Sequence, residues 1–244
     1  MQIINATWEK RNLGVTTQEI QVEQNDSLED LKSAISSLDS QYNVIKIPAG
    51  KVKMMFYLQE QNFNFIEGFV HLTHTLHDIK MNPIQQRLDK TVSYEIMNHA
   101  DIEHLFDEIK NGLFYSDRIF LDSCFKKEQA QQRYINWISD ELERDTELYK
   151  LVYKNESIGF FTFKQIEDGI YYPFLAGVYK KYQPTGLGAV FCYKPIVEAK
   201  KRNARQISTY VSTNNANTLR VHSSLGFAIE SISYVFVRHI GEVV

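Results

Sequence analysis

Residues 175–188 constrain this chain more than any other stretch, because they run an aromatic, strand-like segment (Leu175-Ala176-Gly177-Val178-Tyr179) into a helix through a turn holding Gly186 and Gly188. Glycine at such a junction lets backbone N–H groups approach a ligand closely, and a helix start offers unpaired donors with a partial positive charge. The turn is therefore expected to cradle an anion, and a pyrophosphate would fit it without a lysine-rich site. Two well-known phosphate loops are excluded. No Gly-Lys-Ser/Thr follows the turn, and the Gly-x-Gly-x-x-Gly fingerprint is absent. Taken alone, a short glycine turn is equally an ordinary helix start.

The patterns around it divide the chain in two. In the first third, Glu19 to Val22 reads as a strand and Ser27 opens a helix to about Leu38, with Asp30 three residues on completing a capping-box-like start. Asn43 to Ile47 is a strand, Lys51 to about Gln61 a helix with Val52, Met55, Phe56 and Leu58 on its apolar face, and Phe63 to Leu76 a third strand. This β-α-β-α-β order predicts parallel pairings and an open sheet edge that needs cover. The polar stretch from about Asp78 to Leu88 reads as a linker, so the expected domains are residues 1–80 and 88–244.

After the linker come a strand (Val92 to Ile96), a helix from Asp101 to about Lys110, and a helix from about Lys127 to Arg144 with an Ala130, Tyr134, Trp137, Ile138 and Leu142 stripe. Three antiparallel strands follow, Leu148–Lys154, Ser157–Ile166 and Ile170–Tyr179, joined by short turns. The tail reads helix (Gly186 to about Lys201), strand (Gln206–Ser212), helix (Ala216–Ser224) and strand (Ala228–His239).

Composition narrows the functional classes. Of 244 residues, 27 are Lys or Arg and 30 are Asp or Glu, a net charge of −3 that offers no basic surplus for nucleic acid or an anionic membrane. No apolar run reaches the roughly 18 residues of a membrane helix and the start resembles no signal peptide, so a cytoplasmic protein is expected. Cys124 and Cys192 lack metal or redox spacing and are expected to be buried apolar residues.

A second motif lies about 30 residues beyond the glycine turn: Asn215, a helix through His222, then Leu225-Gly226-Phe227 and a last strand. Gly226 alone would be a left-handed helix stop. Together with Gln183-x-x-Gly186-x-Gly188 in the same order of elements, the pair resembles the GNAT acyltransferases. The resemblance implies a GNAT fold, a mixed and mostly antiparallel α/β sheet flanked by helices, with a smaller partial copy ahead of it. It also implies acetyl-CoA as cosubstrate, held by Gly177, Val178, Tyr179, Gln183, Pro184, Thr185, Gly186, Leu187, Gly188 and Ala189, with Asn215 beside the pantetheine arm. Further segments, Ser116-Asp117-Arg118-Ile119-Phe120-Leu121-Asp122, Thr7-Trp8-Glu9 and Glu67-Gly68-Phe69, are similar to bacterial TDP-fucosamine acetyltransferases and related sugar-nucleotide N-acetyltransferases. That similarity implies a nucleotide-linked amino sugar as acceptor, with Arg118, Asp122 and Tyr134 on its side of the site.

The reaction so implied is attack of a neutral primary amine on the thioester within a ternary complex, without a metal. His222 occupies the position where these enzymes usually carry a tyrosine acid for the departing thiolate, and Tyr234 is the substitute; no unique general base stands out. His71, His74 and His77 suggest a metal cluster, but strand alternation turns His74 away from the other two. Lys200-Lys201-Arg202 suits a helix C-terminus. Two rivals remain: a GNAT acting on another small amine or a peptide N-terminus, and a non-catalytic acyl-CoA-binding module. Homodimerisation is left open.

Overall fold

A capping box at Ser27, whose hydroxyl accepts from the Asp30 N–H while the Asp30 carboxylate accepts from the Ser27 N–H, opens a helix where the sequence predicts one. The computed structural model describes residues 1–241 apart from Lys80 and Gly186, and for Ile84, Pro184 and Thr185 it describes the backbone alone. The first half runs β1 (Gln2–Asn5), α1 (Thr7–Leu13), β2 (Thr17–Gln21), α2 (Leu28–Ser36), β3 (Tyr42–Pro48), α3 (Val52–Glu60) and β4 (Asn64–His74). Then come α4 (Pro83–Thr91), β5 (Val92–Ile96), α5 (His99–Lys110), α6 (Arg118–Leu121), α7 (Lys127–Leu142), β6 (Glu147–Tyr153), β7 (Glu156–Glu167), β8 (Ile170–Tyr172) and β9 (Ala176–Val178). A 3-10 turn, Lys180–Thr185, leads to α8 (Gly188–Lys201), β10 (Gln206–Ser212), α9 (Ala216–Ser224) and β11 (Ala228–His239).

The strands form one sheet in the order β1-β2-β3-β11-β4-β10-β8-β7-β6-β5, with β9 paired to β7. Only β2–β3 and β8–β10 are parallel. The expected run of parallel pairings in the first half therefore stops at β3, because β11 inserts between β3 and β4 and is antiparallel to both. The reason is in the sequence of β11. Tyr234 and Phe236 pack toward α2 and α3, while Val235 and Val237 pack toward α1, α6 and α7, so this strand is apolar on both faces and belongs in a sheet interior. On the far side β10 pairs with β4, which closes the open edge.

Several expectations need correction. On α3 the buried residues are Met54 and Leu58, whereas Val52 and Phe56 are exposed, so the apolar face is narrower than the periodicity suggests. The polar linker contains α4, started by an Asn82–Gln85 capping box with Pro83 in its first turn. The strand expected over 170–179 is broken. Pro173 has no N–H for a ladder, its carbonyl accepts from Thr209 Oγ1 at 3.1 Å, and the strand resumes as β9. Cys192 is buried as expected, but Cys124 is exposed. His74 and His77 do meet, stacked at 4.4 Å, because β4 ends at His74 and Leu76 turns the chain at φ 62°. Both β1 and α1 went unread in the sequence.

Candidate functional site

The break between β8 and β9 opens the sheet. Leu175 is held to β7 by Thr162, whose backbone N–H donates to Leu175 O at 2.8 Å and whose hydroxyl accepts from the Leu175 N–H at 3.0 Å. Tyr179 N–H donates to Ile158 O at 2.9 Å. Residues 175, 177 and 179 thus turn their backbone groups toward β7, and by strand alternation Ala176 and Val178 turn theirs the other way. On that side lies β10, which pairs with β8 only through Gln206 and Ile207 and does not pair with β9. The result is a wedge in which the N–H groups of Ala176 and Val178 find no acceptor among the described residues. A close approach fixes it: a Cβ on Gly159 would lie 2.3 Å from Gly177 O, so β7 and β9 meet at a position only glycine allows.

Beyond the wedge the chain reaches the turn expected to hold an anion. Leu187, buried, stands at the N-cap of α8 and no side chain caps the helix, which leaves its first-turn N–H groups without a side-chain acceptor. A Cβ at Gly188 would meet only Phe191 and Val221, at 3.8 and 3.9 Å, so the helix start has room in front of it. Gln183 folds back, its Nε2 donating to Val178 O at 3.2 Å, and so shapes the turn. Gly186 lies outside the described residues. Lys200, Lys201 and Arg202 at the other end of α8 are engaged by Asp78, Tyr94 and Glu198.

A cavity of about 640 Å³ runs through the wedge. On the α8 and α9 side its lining includes Phe191, Cys192, Asn215, Thr218 and His222. Asn215 caps α9, its side-chain oxygen accepting from Thr218 N–H at 3.2 Å. His222 is 8% exposed, stands edge-on to Phe227 and directs Nδ1 at Thr218 O, 2.9 Å away. A carbonyl only accepts, so Nδ1 carries the proton and the neutral ring keeps a lone pair on Nε2. Burial lowers this imidazole below its usual range, with the Thr218 bond opposing. His222 is thus arranged to accept a hydrogen bond into the cavity rather than to donate a proton. Tyr234 packs against Phe65 and the α2–α3 core and is not among the residues that line the cavity.

The other end of the cavity lies between the first-half sheet and helices α1, α6 and α7. Its cations are all engaged. Lys46 pairs with Glu19 at 3.0 Å, Arg118 with Glu19 at 2.5 Å, Arg133 with Glu9 at 2.8 Å and Arg144 with Glu141 at 3.1 Å. Burial disfavours the Glu19 carboxylate, but Arg118 and Lys46 override it and hold the group at about 2. Tyr134 lines this end, its ring tilted against Phe114 with centroids 4.3 Å apart. Asp122 does not. It is buried against His239, whose Nε2 lies 2.8 Å from its Oδ2, and its other oxygen accepts from the Cys124 N–H.

No protein-family model matches the chain, and no curated protein matches it in sequence. Solved structures resemble it in fold. A GCN5-related N-acetyltransferase from Sphaerobacter thermophilus superposes with a TM-score of 0.65 at 9% identity, over 98% of this chain and 75% of that one. Another from Kribbella flavida gives 0.55 at 11% identity over 93% and 82%. A tandem GNAT protein from the clavulanic acid biosynthesis pathway gives 0.56 at 11% identity over 93% and 78%. The chain has the GNAT fold.

Within this GNAT fold, Asn215, His222, Arg118 and Tyr134 come together on one cavity, whereas Asp122 and Tyr234 stand apart from it. Gly177 and Tyr179 serve the β7 ladder, and Ala176, which the motif reading passed over, offers a backbone N–H to the wedge. Glu67, present in the sequence reading only within the Glu67-Gly68-Phe69 segment and without a role, belongs here as well. It sits on β4, is 5% exposed and lines the cavity, and its Oε2 has no partner. The sequence carried a signal for it: by the period of two Glu67 shares a strand face with Phe69, which also lines the cavity, and an acidic residue on an inward face is unusual.

Proposed function

We propose that this chain is an acetyl-CoA-dependent N-acetyltransferase that acts on a primary amine by direct attack within a ternary complex. The observation that carries the reading is the wedge: two unpaired backbone N–H groups, at Ala176 and Val178, between strands that part within a GNAT fold, with an uncapped helix start beyond them. Acetyl-CoA supplies the activated acetyl thioester. The first-turn N–H groups of α8 and the turn through Gln183, Pro184, Thr185 and Gly186 would receive its pyrophosphate, and Asn215 its pantetheine arm. A wedge N–H group would meet the negative charge that builds on the carbonyl oxygen, a role worth about 3 to 4 kcal/mol where such a donor has been removed. Holding both reactants in line contributes up to roughly 7 to 11 kcal/mol. His222, neutral with Nε2 as acceptor, orients a donor in the cavity.

The sequence resemblance implies a nucleotide-linked amino sugar as acceptor. Its diphosphate would need free cations, and Lys46, Arg118, Arg133 and Arg144 are engaged by carboxylates. This favours a small amine without a diphosphate. We read residues 1–80 and 88–244 as two GNAT-like halves sharing one sheet, the second carrying the cofactor wedge and the first walling the acceptor end.

The test is thermal unfolding with and without acetyl-CoA. At about a hundred times the dissociation constant, one-site linkage stabilises by about 2.7 kcal/mol, roughly 5 to 10 °C for a chain of this size. Gly188→Glu, which sets a carboxylate before the helix start, should abolish the shift while the protein stays folded. No shift in the folded parent would overturn the reading, and a shift without thiol release in the presence of any amine would leave an acyl-CoA-binding module.

A further inference from the structure

Glu67 is a buried carboxylate in a cavity otherwise balanced in charge. It is 5% exposed, lines the cavity, and leaves Oε2 without a hydrogen-bond partner. An unpaired buried carboxylate oxygen is costly unless a ligand or proton satisfies it. Its charged neighbours do not. Arg118 and Lys46, the cations that act on it, are both directed at Glu19, at 2.5 and 3.0 Å, and Asp117 beside it accepts from the Ile119 and Phe120 N–H groups through Oδ1 while its own Oδ2 lacks a partner among the described residues. The walls about this end are aromatic: Trp8, Phe69, Tyr134, Trp137, Tyr172 and Phe174. Aromatic faces attract a cation and bury an apolar body, and they offer a phosphate nothing.

Accepting the acetyltransferase reading, we infer that the acceptor is a small monocationic primary amine with an aromatic or apolar body, and that Glu67 receives its ammonium group and takes a proton from it. The balance is simple. The ammonium gives one proton to Glu67, the nitrogen lone pair forms the C–N bond as the C–S bond breaks, the second N–H proton passes to the departing thiolate sulfur to give the free thiol, and Glu67 returns its proton to water. Burial raises the Glu67 carboxyl above the ordinary range, with Ser212 and Arg118 opposing, which suits a group that must hold a proton briefly.

Three ligands test it on the full chain with acetyl-CoA bound: 2-phenylethylamine, its neutral isostere 2-phenylethanol, and a dTDP-linked amino sugar. Calorimetry should find the amine bound at least tenfold more tightly than the alcohol, and Glu67→Gln should erase that preference while leaving the acetyl-CoA thermal shift in place. In turnover, Glu67→Gln should raise KM for 2-phenylethylamine and lower kcat/KM at least 100-fold. If the parent shows the acetyl-CoA shift but prefers the dTDP amino sugar, or if Glu67→Gln acetylates the amine as the parent does, the acceptor assignment falls and the transferase reading stands. If acetyl-CoA itself gives no shift, both fall.

Discussion

Gly159→Ala would test how rigidly the wedge is set. A Cβ there would lie 2.3 Å from Gly177 O, 3.0 Å from Val178 Cα and 3.2 Å from Gly177 C, all backbone atoms that no rotamer change can move aside. To reach even 3.0 Å from the oxygen, β9 must retreat from β7 by about 0.7 Å. The Tyr179 N–H to Ile158 O bond, now 2.9 Å, would then stretch beyond hydrogen-bond range, and its neighbours in this three-residue strand with it. Losing two such bonds, at about 1 kcal/mol each, or overpacking by about 1 to 3 kcal/mol, gives a cost near 2 to 3 kcal/mol. In a chain of this length that is a fall in Tm of roughly 5 to 10 °C. The acetyl-CoA shift should shrink as well, since the Ala176 and Val178 N–H groups move with the strand. Gly188→Ala is the control: its Cβ would make ordinary contacts at 3.8 and 3.9 Å, so Tm should stay within about 2 °C. Differential scanning fluorimetry of the three proteins suffices. If Gly159→Ala melts within 1 °C of the parent and keeps the full acetyl-CoA shift, the wedge is not held by this contact.

The buried Glu19 should shape acid unfolding. Its folded value near 2 lies below an unfolded value near 4.5, so the stability it contributes is present above pH 4.5 and lost as pH falls toward 2; Glu19→Gln should flatten that limb in acid-titration circular dichroism and, by leaving the buried Arg118 only its longer 3.5 Å contact with Glu9, cost about 1 to 3 kcal/mol at pH 7. His222→Phe should keep kcat within about tenfold, because a neutral ring with Nδ1 tied to Thr218 supplies no acid; a loss above 100-fold with acetyl-CoA binding intact would restore the acid role. Tyr234→Phe should leave steady-state turnover unchanged, since Tyr234 packs in the α2–α3 core and does not line the cavity. Iodoacetamide should label Cys124 and spare Cys192 in the native protein, as burial pushes the Cys192 thiol far up and closes it off, which mass spectrometry of peptides will report.

The last three elements, β10, α9 and β11, stand where the residues say they should, because the hydrophobic period switches sharply there and Asn215 and Gly226 mark the ends of α9. By contrast α1 starts at Ala6 with no side-chain cap, and α4 is so polar that its capping box was outweighed by composition. The cofactor side was legible because one continuous stretch and one nearby helix carry it. The acceptor side was not, because it is assembled across the chain. The Gly68 N–H, next to Glu67, donates to Thr213 Oγ1 at 2.9 Å over 145 residues of sequence, and no local pattern announces such a meeting. Glu67 itself stood in the sequence only within the Glu67-Gly68-Phe69 segment, with no chemistry attached to it.

The interposed β11 also bears on how the molecule acquires its form during synthesis. β3 and β4 leave the ribosome early but cannot pair with each other, since the strand that joins them is 228–239. Until that strand and β10 emerge, the nascent first half holds three unpaired strand edges, one on β3 and two on β4, lined with Val44, Ile45, Val70 and Leu72 and open to pairing with a neighbouring chain. Such distant pairing makes for a slow, late commitment to the native topology, in which the first-made residues are among the last to be locked in place.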